Sequence, residues 1–427
     1  MRFAEFQQAL QAHYGEEAAA ARHELYFLAR RGRGALLRGF LAALRDAWLC
    51  WRLPRAPAPL AAWVALATLP GANGWGALAP CVADLAQRGI ACSVLIHPRL
   101  RGRVAGDPPA RPAAAAWRHA AGAWRLRQSA AGVPPLSPWL VRCCVFRQRL
   151  WRGAWARTLA ARGQATLLLH NDFDLYAVAA QQAAGPGWRR VCVQHGLPTD
   201  EFFPVRAQRH LVWGPSSAQA FARHGVAPQA LAYGPAQAQA DAAAAAGTDT
   251  EAPVPAALYL VSQTHTPIYG RALAADFLAL AQALAGRDGP ALQILLHPEE
   301  VRGGHPYAVP GLAGCCRHPP HALLDAAAAA AAAPAIVVGF CSTALLQAAC
   351  RGHYVIGLAW PATASLDALA VGRPPTQVDD ASALCALIDQ LCTDPSARRR
   401  LLAAQAQWLR QTFASDPHWP QRVEEAA

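Results

Sequence analysis

The sequence predicts a soluble α/β protein with two domains, each built around a parallel sheet. The chain has 427 residues, which is enough for two or three domains. Hydrophobic residues make up 54% of the sequence, so two cores can be filled and general disorder is excluded. Short apolar runs alternate with helical patterns in both halves, and strands that alternate with helices form parallel, doubly wound sheets.

Residues 1–60 are predicted to form a basic helical extension that precedes the first domain. Apolar side chains recur at helical spacing with arginines between them. Two interpretations fit this pattern: a helical cap that packs on the first domain, or a basic amphipathic surface that touches anionic lipid. The apolar positions are Leu25, Phe27, Leu28, Leu36, Leu37, Phe40, Leu41, Leu44, Trp48 and Leu49.

The first domain is predicted to span residues 61–235 and to begin with a strand at 63–69. A glycine-rich loop follows, in which Gly74 lets the backbone approach an anionic ligand at the start of a helix. The loop lacks the spacing of a dinucleotide-binding turn, and His97 and Pro98 stand where an acidic residue would bind a ribose. A tight turn without a ligand is the alternative interpretation of the loop.

Polar residues follow further predicted strands of this domain, which lie at 166–169, 190–193, 211–213 and 231–233. Asp172 is a candidate base that activates an acceptor hydroxyl, with solvation of a loop as the alternative. Asp172 and Asp174 also have the DxD spacing that can hold Mg²⁺. His195 follows a strand and precedes a glycine, which suits proton transfer or phosphate contact, or else a structural histidine.

A linker is predicted at 236–254, and a second domain at 255–427 repeats the scheme. Its predicted strands cover 257–261, 292–296, 336–338 and 354–358. A helix is predicted at 322–333, and two helices at 381–392 and 396–413 end the pattern.

Five residues of the second domain are candidate site residues, His297 for catalysis and the others for binding the donor. His297 follows a strand and precedes a proline, which fixes the turn and aims the ring. Ser342 and Thr343 open a helix directly after the strand that ends near Gly339, and a helix start of this kind favours an anion. Gln347, one turn later, is placed to reach a ribose. A plain helix cap is the alternative for Ser342 and Thr343.

The charge is strongly basic, with a formal net charge of +12. The excess is carried by arginine in two clusters, one within the first 60 residues and one in 99–160, where helices and a long acceptor-side loop are predicted. Such a surface attracts polyanions, including anionic lipid or an acidic substrate. Nucleic-acid binding is not expected, because no recognised nucleic-acid module occurs.

The cysteine pattern predicts a reduced, cytoplasmic protein. None of the 12 cysteines falls in a CxxC pair, and no Cys/His spacing matches a structural zinc site. No signal peptide and no strongly apolar stretch of about 18 residues is found. We therefore expect no tightly bound metal or cofactor. The expected location is the cytoplasm, and the sequence leaves open whether the protein also contacts the inner face of the membrane.

Several motifs together resemble GT-B glycosyltransferases of the capsule and teichoic-acid type. Relatives of this type include the CDP-glycerol glycerophosphotransferases, bacterial polysialyltransferases and capsule Kdo transferases. The resemblance covers about residues 165–415. The segments that carry it are 191–198 (VCVQHGLP), 211–214 (LVWG), 233–235 (YGP), 295–299 (LLHPE), 338–349 (VGFCSTALLQAA) and 352–356 (GHYVI).

The resemblance implies a GT-B-like protein with two Rossmann-like domains facing a cleft, the second holding the nucleotide donor. It implies that His297 contacts the donor phosphate, that Ser342 and Thr343 bind the same phosphate, and that His195 is a base or a phosphate ligand. Many of these enzymes carry a glutamate where Gln347 stands, and the DxD spacing belongs to a different glycosyltransferase fold. The acidic base of the polysialyltransferases has no clear copy here.

The expected function is therefore transfer of a sugar or a polyol phosphate during synthesis of a bacterial surface polysaccharide. The donor is expected to be CMP-, CDP- or UDP-linked, and the acceptor a glycan or a lipid-linked molecule. Two alternatives stay open. A nucleotide-sugar 2-epimerase-like enzyme shares the architecture and needs acidic catalytic residues. A non-catalytic binding protein of a polysaccharide assembly complex would need no base at all.

Overall fold

The structure is a computed structural model, and the chain divides into two compact units. The first unit comprises Met1–Val212, Phe221–Pro235 and Asp416–Ala427, and the second comprises Trp213–Ala220 and Ala236–Ser415. Most of the predicted linker at 236–254 lies outside the described residues. The structure describes residues 3–29, 32–71, 74–128, 136–235, 252–264, 270–317, 334–340, 342–360 and 371–425.

The N-terminal segment forms four helices that belong to the first unit. They are α1 (Phe3–Tyr14), α2 (Glu16–Ala20), α3 (Arg22–Ala29) and α4 (Ala35–Trp51). Phe3, Phe6, Leu10 and Leu25 are buried in the same hydrophobic core as Leu66 of the first strand. The helices therefore share a core with the first sheet, which is what the helical-cap interpretation expects.

The first sheet has six parallel strands in the order β2-β1-β3-β4-β5-β6. Neighbouring strands start in register, with Trp63 opposite both Cys92 and Thr166. The strand order reverses between β1 and β3, and ligands of such sheets bind at that reversal, beyond the carboxyl ends of the strands. The strands are β1 (Trp63–Ala67), β2 (Cys92–Ile96), β3 (Ala165–Leu169), β4 (Trp188–Val193), β5 (Arg209–Val212) and β6 (Leu231–Tyr233).

The segment 99–160 contains helices, as the sequence predicts, and its longest element, α7 (Pro138–Leu159), is largely buried. This helix, α7, carries Trp151 and Trp155, which are both fully buried. The sequence did not indicate this burial, because arginines are typical of a solvated surface, yet Arg147 is 1% exposed and paired with carboxylates. The helices between the strands are α5 (Trp75–Gln87), α6 (Ala114–Ala121), α7 (Pro138–Leu159), α8 (Leu175–Ala183) and α9 (Pro215–Arg223).

The second unit contains another parallel sheet of six strands, in the order β9-β8-β7-β10-β11-β12. If β7 is taken as strand 1, the order is 3-2-1-4-5-6, which is the order of doubly wound sheets. The strand order reverses between β7 and β10. The strands are β7 (Ala257–Val261), β8 (Leu292–Leu295), β9 (Cys316–Arg317), β10 (Ala335–Gly339), β11 (Tyr354–Leu358) and β12 (Gln377–Val378).

Three helices of the second unit begin at side-chain caps. Ser342, Asp380 and Asp394 each accept a backbone N–H in the first turn of a helix. A further helix expected at 322–333 lies outside the described residues. The helices are α10 (Gly270–Ala285), α11 (Pro298–Gly303), α12 (Thr343–Cys350), α13 (Ala381–Thr393) and α14 (Pro395–Thr412).

The C-terminal helix α15 (Trp419–Glu424) belongs to the first unit, whereas the sequence assigned the whole of 255–427 to the second domain. Trp419 is fully buried, and its ring lies 5.4 Å from the ring of Trp63. Its Nε1 donates a 2.8 Å hydrogen bond to Asp84. The packing of Trp419 in the first core therefore places the C-terminal helix in the first unit. The local sequence around Trp419 does not indicate this long-range contact.

The predicted fold class is confirmed in its main features: two parallel six-stranded sheets, each with helices, in a two-unit α/β chain. Among the described helices, none combines the length and the apolar character that crossing a bilayer requires.

Candidate functional site

Polar side chains gather at the carboxyl edge of the first sheet, beside the reversal of strand order. His170 and Asn171 follow β3, and Thr68 follows the neighbouring β1. Oγ1 of Thr68 lies 2.8 Å from Nε2 of His170 and donates a 2.7 Å bond to Asp174. Nδ2 of Asn171 lies 2.8 Å from Oδ2 of Asp174 and 3.0 Å from Nδ1 of His170. The four side chains therefore form a closed, buried ring of hydrogen bonds.

His195 lies next to this ring, at the end of β4. Its imidazole stacks on Phe202 with centroids 5.1 Å apart and an angle of 6° between the planes. Burial, followed by the neighbouring His170, lowers the pKa of His195 from 6.5 to about 3, although a hydrogen bond to the backbone of His170 acts in the other direction. The ring is therefore neutral at physiological pH.

The Nδ1 atom of His195 is buried and has no hydrogen-bond partner within the described structure. In a neutral imidazole one ring nitrogen carries a lone pair, and in the tautomer that is protonated on Nε2 this lone pair lies on the unpartnered Nδ1. Nε2 of His97 and of His210 is likewise buried without a partner among the described residues, so what distinguishes His195 is its position after β4, beside the polar ring at the carboxyl edge of the sheet. Nδ1 is thus suited to accept a hydrogen bond from a hydroxyl group.

Asp172 also lies at this edge, but its carboxylate is engaged by the backbone. It is 2% exposed, and Oδ2 accepts hydrogen bonds from the N–H groups of Arg206 (2.5 Å) and Ala207 (3.0 Å). These bonds fix the loop between β4 and β5, which favours an anchoring role over the predicted role as catalytic base. Within the described residues, no group of three or more His, Cys, Asp or Glu side chains could hold a metal ion.

Gly74 caps α5 from the glycine-rich loop. A Cβ atom at this position would lie 2.0 Å from the carbonyl oxygen of Leu69, so that only glycine fits. The N–H of Trp75 donates to the same oxygen at 3.0 Å. The described part of the loop therefore closes tightly on the end of β1, which favours the tight-turn interpretation of Gly74.

At the carboxyl edge of the second sheet, His297 is the residue before α11. The N–H of Glu299 donates to Nδ1 of His297 at 3.2 Å, so that the ring proton lies on Nε2. The side chain of Glu300 is buried and accepts from the N–H of His297 at 2.7 Å. Its other oxygen accepts from Ser262 and Thr264, which follow β7. Glu300 therefore ties together the ends of β7 and β8 and holds His297 at the edge.

Ser342 and Thr343 lie at the same edge, at the start of α12. Ser342 is the cap of this helix, and its Oγ accepts from the N–H of Ala344 at 3.2 Å. Ser342, Thr343 and Gln347 are all partly exposed. Gly339 ends β10, where a Cβ would lie 3.1 Å from Leu345 and 3.2 Å from Val261, so a larger residue would crowd the strand end.

The structure brings His297, Ser342 and Thr343 to one edge, because only β7 separates the ends of β8 and β10. Two strand spacings amount to about 10 Å. Sequence reasoning missed Thr68, His170, Asn171 and Glu300. The position of the first three after strands could have indicated them, as could the three-residue spacing of Glu300 from His297, which is typical of a capping box.

Comparisons with known proteins support the fold. No family model matches the chain, and no curated protein matches it in sequence. A UDP-N-acetylglucosamine 2-epimerase structure has a TM-score of 0.52 and 13% identity, covering 86% of this chain and 95% of that chain. The UDP-GlcNAc 2-epimerase from Neisseria meningitidis, bound to UDP-GlcNAc, has a TM-score of 0.50 and 12% identity, covering 86% and 99%.

A glycosyltransferase of kitacinnamycin has a TM-score of 0.49 and 13% identity, covering 86% of this chain and 99% of that chain. The structural neighbours therefore include UDP-GlcNAc 2-epimerases and a glycosyltransferase. At these identities the likeness establishes a GT-B-like, two-domain α/β fold.

Proposed function

We propose that the chain is a glycosyltransferase or polyol-phosphate transferase that acts in the synthesis of a bacterial surface polysaccharide. Its donor is CMP-, CDP- or UDP-linked, and its acceptor is a glycan or a lipid-linked molecule on the cytoplasmic side. The observation that carries the proposal is the convergence of His297, Ser342 and Thr343 beside the reversal of strand order in the second sheet.

These groups provide the donors that a departing nucleotide phosphate needs. Nε2–H of His297 and the hydroxyl groups of Ser342 and Thr343 are groups that can donate hydrogen bonds to such a phosphate. Donors that are fixed in advance stabilise the negative charge that develops on the leaving phosphate. Gln347, one turn along α12, is proposed to bind a ribose or sugar hydroxyl.

His195 is proposed to bind the acceptor hydroxyl in the first domain. Its neutral ring has a lone pair at the unpartnered Nδ1, which can accept the hydroxyl proton as the new bond forms. A nearby anionic group would raise the pKa of this histidine and make it a stronger base. His195 therefore takes the role of base in this proposal, in place of Asp172.

A nucleotide-sugar 2-epimerase is the second candidate. The two structures described above with TM-scores of 0.50 and 0.52 are both UDP-GlcNAc 2-epimerases. Such chemistry needs acidic catalytic residues. Asp172, Asp174 and Glu300 lie at the carboxyl edges, but each is bound to several N–H or hydroxyl groups of the protein itself. These bonds favour transfer over epimerisation.

The first test is the thermal shift of the purified protein with CMP, CDP, UDP and GDP. A ligand that binds only the native state raises its stability by RT ln(1 + [L]/Kd), about 2.7 kcal/mol at a hundred times Kd. We expect one pyrimidine nucleotide to raise Tm, and Ser342→Ala to weaken that rise, whereas the matched control Ser396→Ala keeps it. No shift with any nucleotide would refute the proposal.

The second test separates transfer from epimerisation. The sugar nucleotide that binds is incubated with the protein alone and with a lipid-linked or oligosaccharide acceptor, and the products are identified by NMR and mass spectrometry. Glycosylated acceptor supports the transferase. A C2 epimer of the sugar nucleotide that forms without an acceptor supports the second candidate instead.

A further inference from the structure

The solvent-facing side of α4 is apolar along its whole length. Leu37, Leu41, Leu44, Trp48 and Trp51 follow the spacing i, i+4, i+7, i+11 and i+14, which keeps them within about 40° of one direction. Each is between 51% and 62% exposed. Among the described residues, ten large hydrophobic side chains are exposed, and these five are half of them. We call this row the α4 stripe.

The opposite side of α4 is the side that packs on the protein, and its residues are small. Ala35, Gly39, Ala43 and Cys50 are buried there, together with Asp46. A Cβ at Gly39 would lie 2.5 Å from Leu140 of α7, so the two helices are in close contact. The helix is thus amphipathic in the reverse of the usual sense, with the large apolar groups facing out.

Asp46 prevents α4 from turning its stripe inward. Its side chain is fully buried and accepts from Arg147 at 2.8 Å and from Arg99 at 3.1 Å. Tyr176 lies 3.2 Å from the same carboxylate. Rotation of the helix would break these bonds and leave buried charges unpaired, which is very unfavourable. The buried hydrogen bonds of Asp46 therefore keep the α4 stripe on the solvent-facing side.

Arginines line one flank of the stripe. Arg38, Arg45 and Arg52 are exposed and lie seven residues apart, at about 60–100° from the centre of the stripe. The guanidinium of Arg52 lies 4.9 Å from the ring of Trp48, so it covers apolar surface while its charge stays at the surface. The one acidic residue of α4 is the buried Asp46, so the solvent-facing side of this helix carries positive charge only.

Aromatic side chains extend the apolar surface on the other flank. The ring centroids of Phe40 and Trp139 are 6.0 Å apart. Trp139 is 42% exposed and lies in the first turn of α7. The ring centroids of Trp139 and Trp124 are in turn 5.0 Å apart. Tryptophan rings favour the boundary between the headgroups and the acyl chains of a bilayer.

We propose that the α4 stripe docks on a lipid bilayer with anionic headgroups. The leucines and tryptophans enter the headgroup and acyl boundary, to a depth of about 5–10 Å for an interfacial helix, while Arg38 and Arg52 contact lipid phosphates. Arg45 adds positive charge on the same flank, although its guanidinium is paired with Asp46 at 3.2 Å. A second copy of the chain fits this face less well, since its own α4 would bring the same arginines and no exposed carboxylate. The inference does not depend on the proposed function.

The test measures binding of the full chain to vesicles by co-sedimentation. One set contains phosphatidylcholine alone, and the other contains about one third phosphatidylglycerol. We expect binding to the anionic vesicles only, and weaker binding in high salt. The double variant Leu41→Ser/Trp48→Ser should lower the partition coefficient by about ten-fold or more, because both side chains leave the apolar row.

Matched variants control for general effects of exposed residues. Val254→Ser/Val301→Ser removes two exposed apolar side chains elsewhere and should bind like the wild type. Arg38→Gln/Arg52→Gln should lower binding several-fold and flatten its salt dependence, whereas Arg223→Gln/Arg399→Gln on other helices should change it much less. All positions are exposed, so unchanged circular dichroism and Tm are expected for every variant.

Two results would overturn the proposal. One is a wild type that does not bind the anionic vesicles at low salt, or a Leu41→Ser/Trp48→Ser variant that binds as well as the wild type. The other is light scattering that shows a dimer which this variant converts to a monomer, without vesicle binding, because the stripe would then be a self-association interface. Nucleotide thermal shifts of the variant should equal those of the wild type, which keeps this test separate from that of the transferase.

Discussion

The two units each contain a strand followed by histidine and proline, and the two histidines have different surroundings. His97 follows β2 and His297 follows β8. Each ring accepts the backbone N–H of the residue two positions later through Nδ1, at 3.3 Å and 3.2 Å. His97 is fully buried between Trp151 and Tyr176, with ring centroids 4.5 and 4.4 Å away, whereas His297 is partly exposed. The local sequence orients both rings, and tertiary packing decides which can meet a ligand.

The residues after each proline account for the difference. Arg99 donates to Asp46 at 3.1 Å and to Tyr176 at 2.8 Å, which brings α4 and α8 over His97. In the second unit, Glu300 turns toward the ends of β7 and β8, and the short helix α11 leaves His297 at the edge. The bonds of Arg99 therefore hold other helices over His97, whereas Glu300 bonds to the strand ends and leaves His297 partly exposed.

Asp46→Ala should have the largest effect, because it removes the carboxylate that holds the cover of His97 in place. Arg147 is 1% exposed and would lose one of its two carboxylate partners. We expect a loss of about 3–5 kcal/mol in the stability of the first unit, as for other broken buried ion pairs. Calorimetry should then show the transition of the first unit at a lower temperature.

The control for this variant is Asp389→Ala. Asp389 pairs with Arg287 but its side chain is 70% exposed, and such pairs contribute about 0–1 kcal/mol. Equal losses in the two variants would contradict the view that the buried carboxylate organises the first unit.

His297→Ala and His97→Ala should separate the two histidines by their readouts. We expect His297→Ala to keep the Tm of the free protein and to lose about 100-fold in kcat/KM, since fixed donors to a developing charge typically contribute this much. His97→Ala should lower Tm, because it leaves a cavity between two aromatic rings. Thermal unfolding and steady-state rates of both variants check this. If His297→Ala turns over like the wild type, His297 is structural as well.

Much of the fold was predictable from the sequence, because the strands are short apolar runs that end in polar residues or glycine. The ends of β3, β4 and β7 lie where the pattern places them. The burial of α7 was not predictable, since Arg147 is accommodated in the core only through Asp46 and Glu24, which lie over 100 residues earlier in the chain. The return of Trp419 to the first core depends on a contact of the same long-range kind.

The candidate site was predictable where position alone decides it. His297, Ser342 and Thr343 follow strands of one sheet, and the order of those strands brings them to one edge. Asp172 looked equally suitable as a base, but the N–H groups that it binds belong to residues 206 and 207, which the spacing of its own loop does not reveal. The position of His195 after β4 was predictable from the sequence, whereas its unpartnered Nδ1 depends on long-range packing, including the stacking of its ring on Phe202.

The pH dependence of stability gives the smallest and most specific test of the buried histidine. Burial lowers the pKa of His97 from 6.5 to about 4 in the folded protein. As the pH falls below about 6.5, the unfolded chain binds a proton that folded His97 does not, so stability falls until the pH reaches about 4. For this residue the loss is about 2 kcal/mol between pH 6.5 and 5.

His97→Gln keeps an acceptor for the N–H of Arg99 and removes this titration. The stability of the wild type relative to His97→Gln, measured by denaturant unfolding, should therefore decrease by about 2 kcal/mol over that interval. Other buried histidines titrate in both proteins and cancel in the comparison. A constant difference between the two proteins from pH 6.5 to 5 would mean that His97 becomes protonated without unfolding, and that its enclosure by Trp151 and Tyr176 is looser than the contacts indicate.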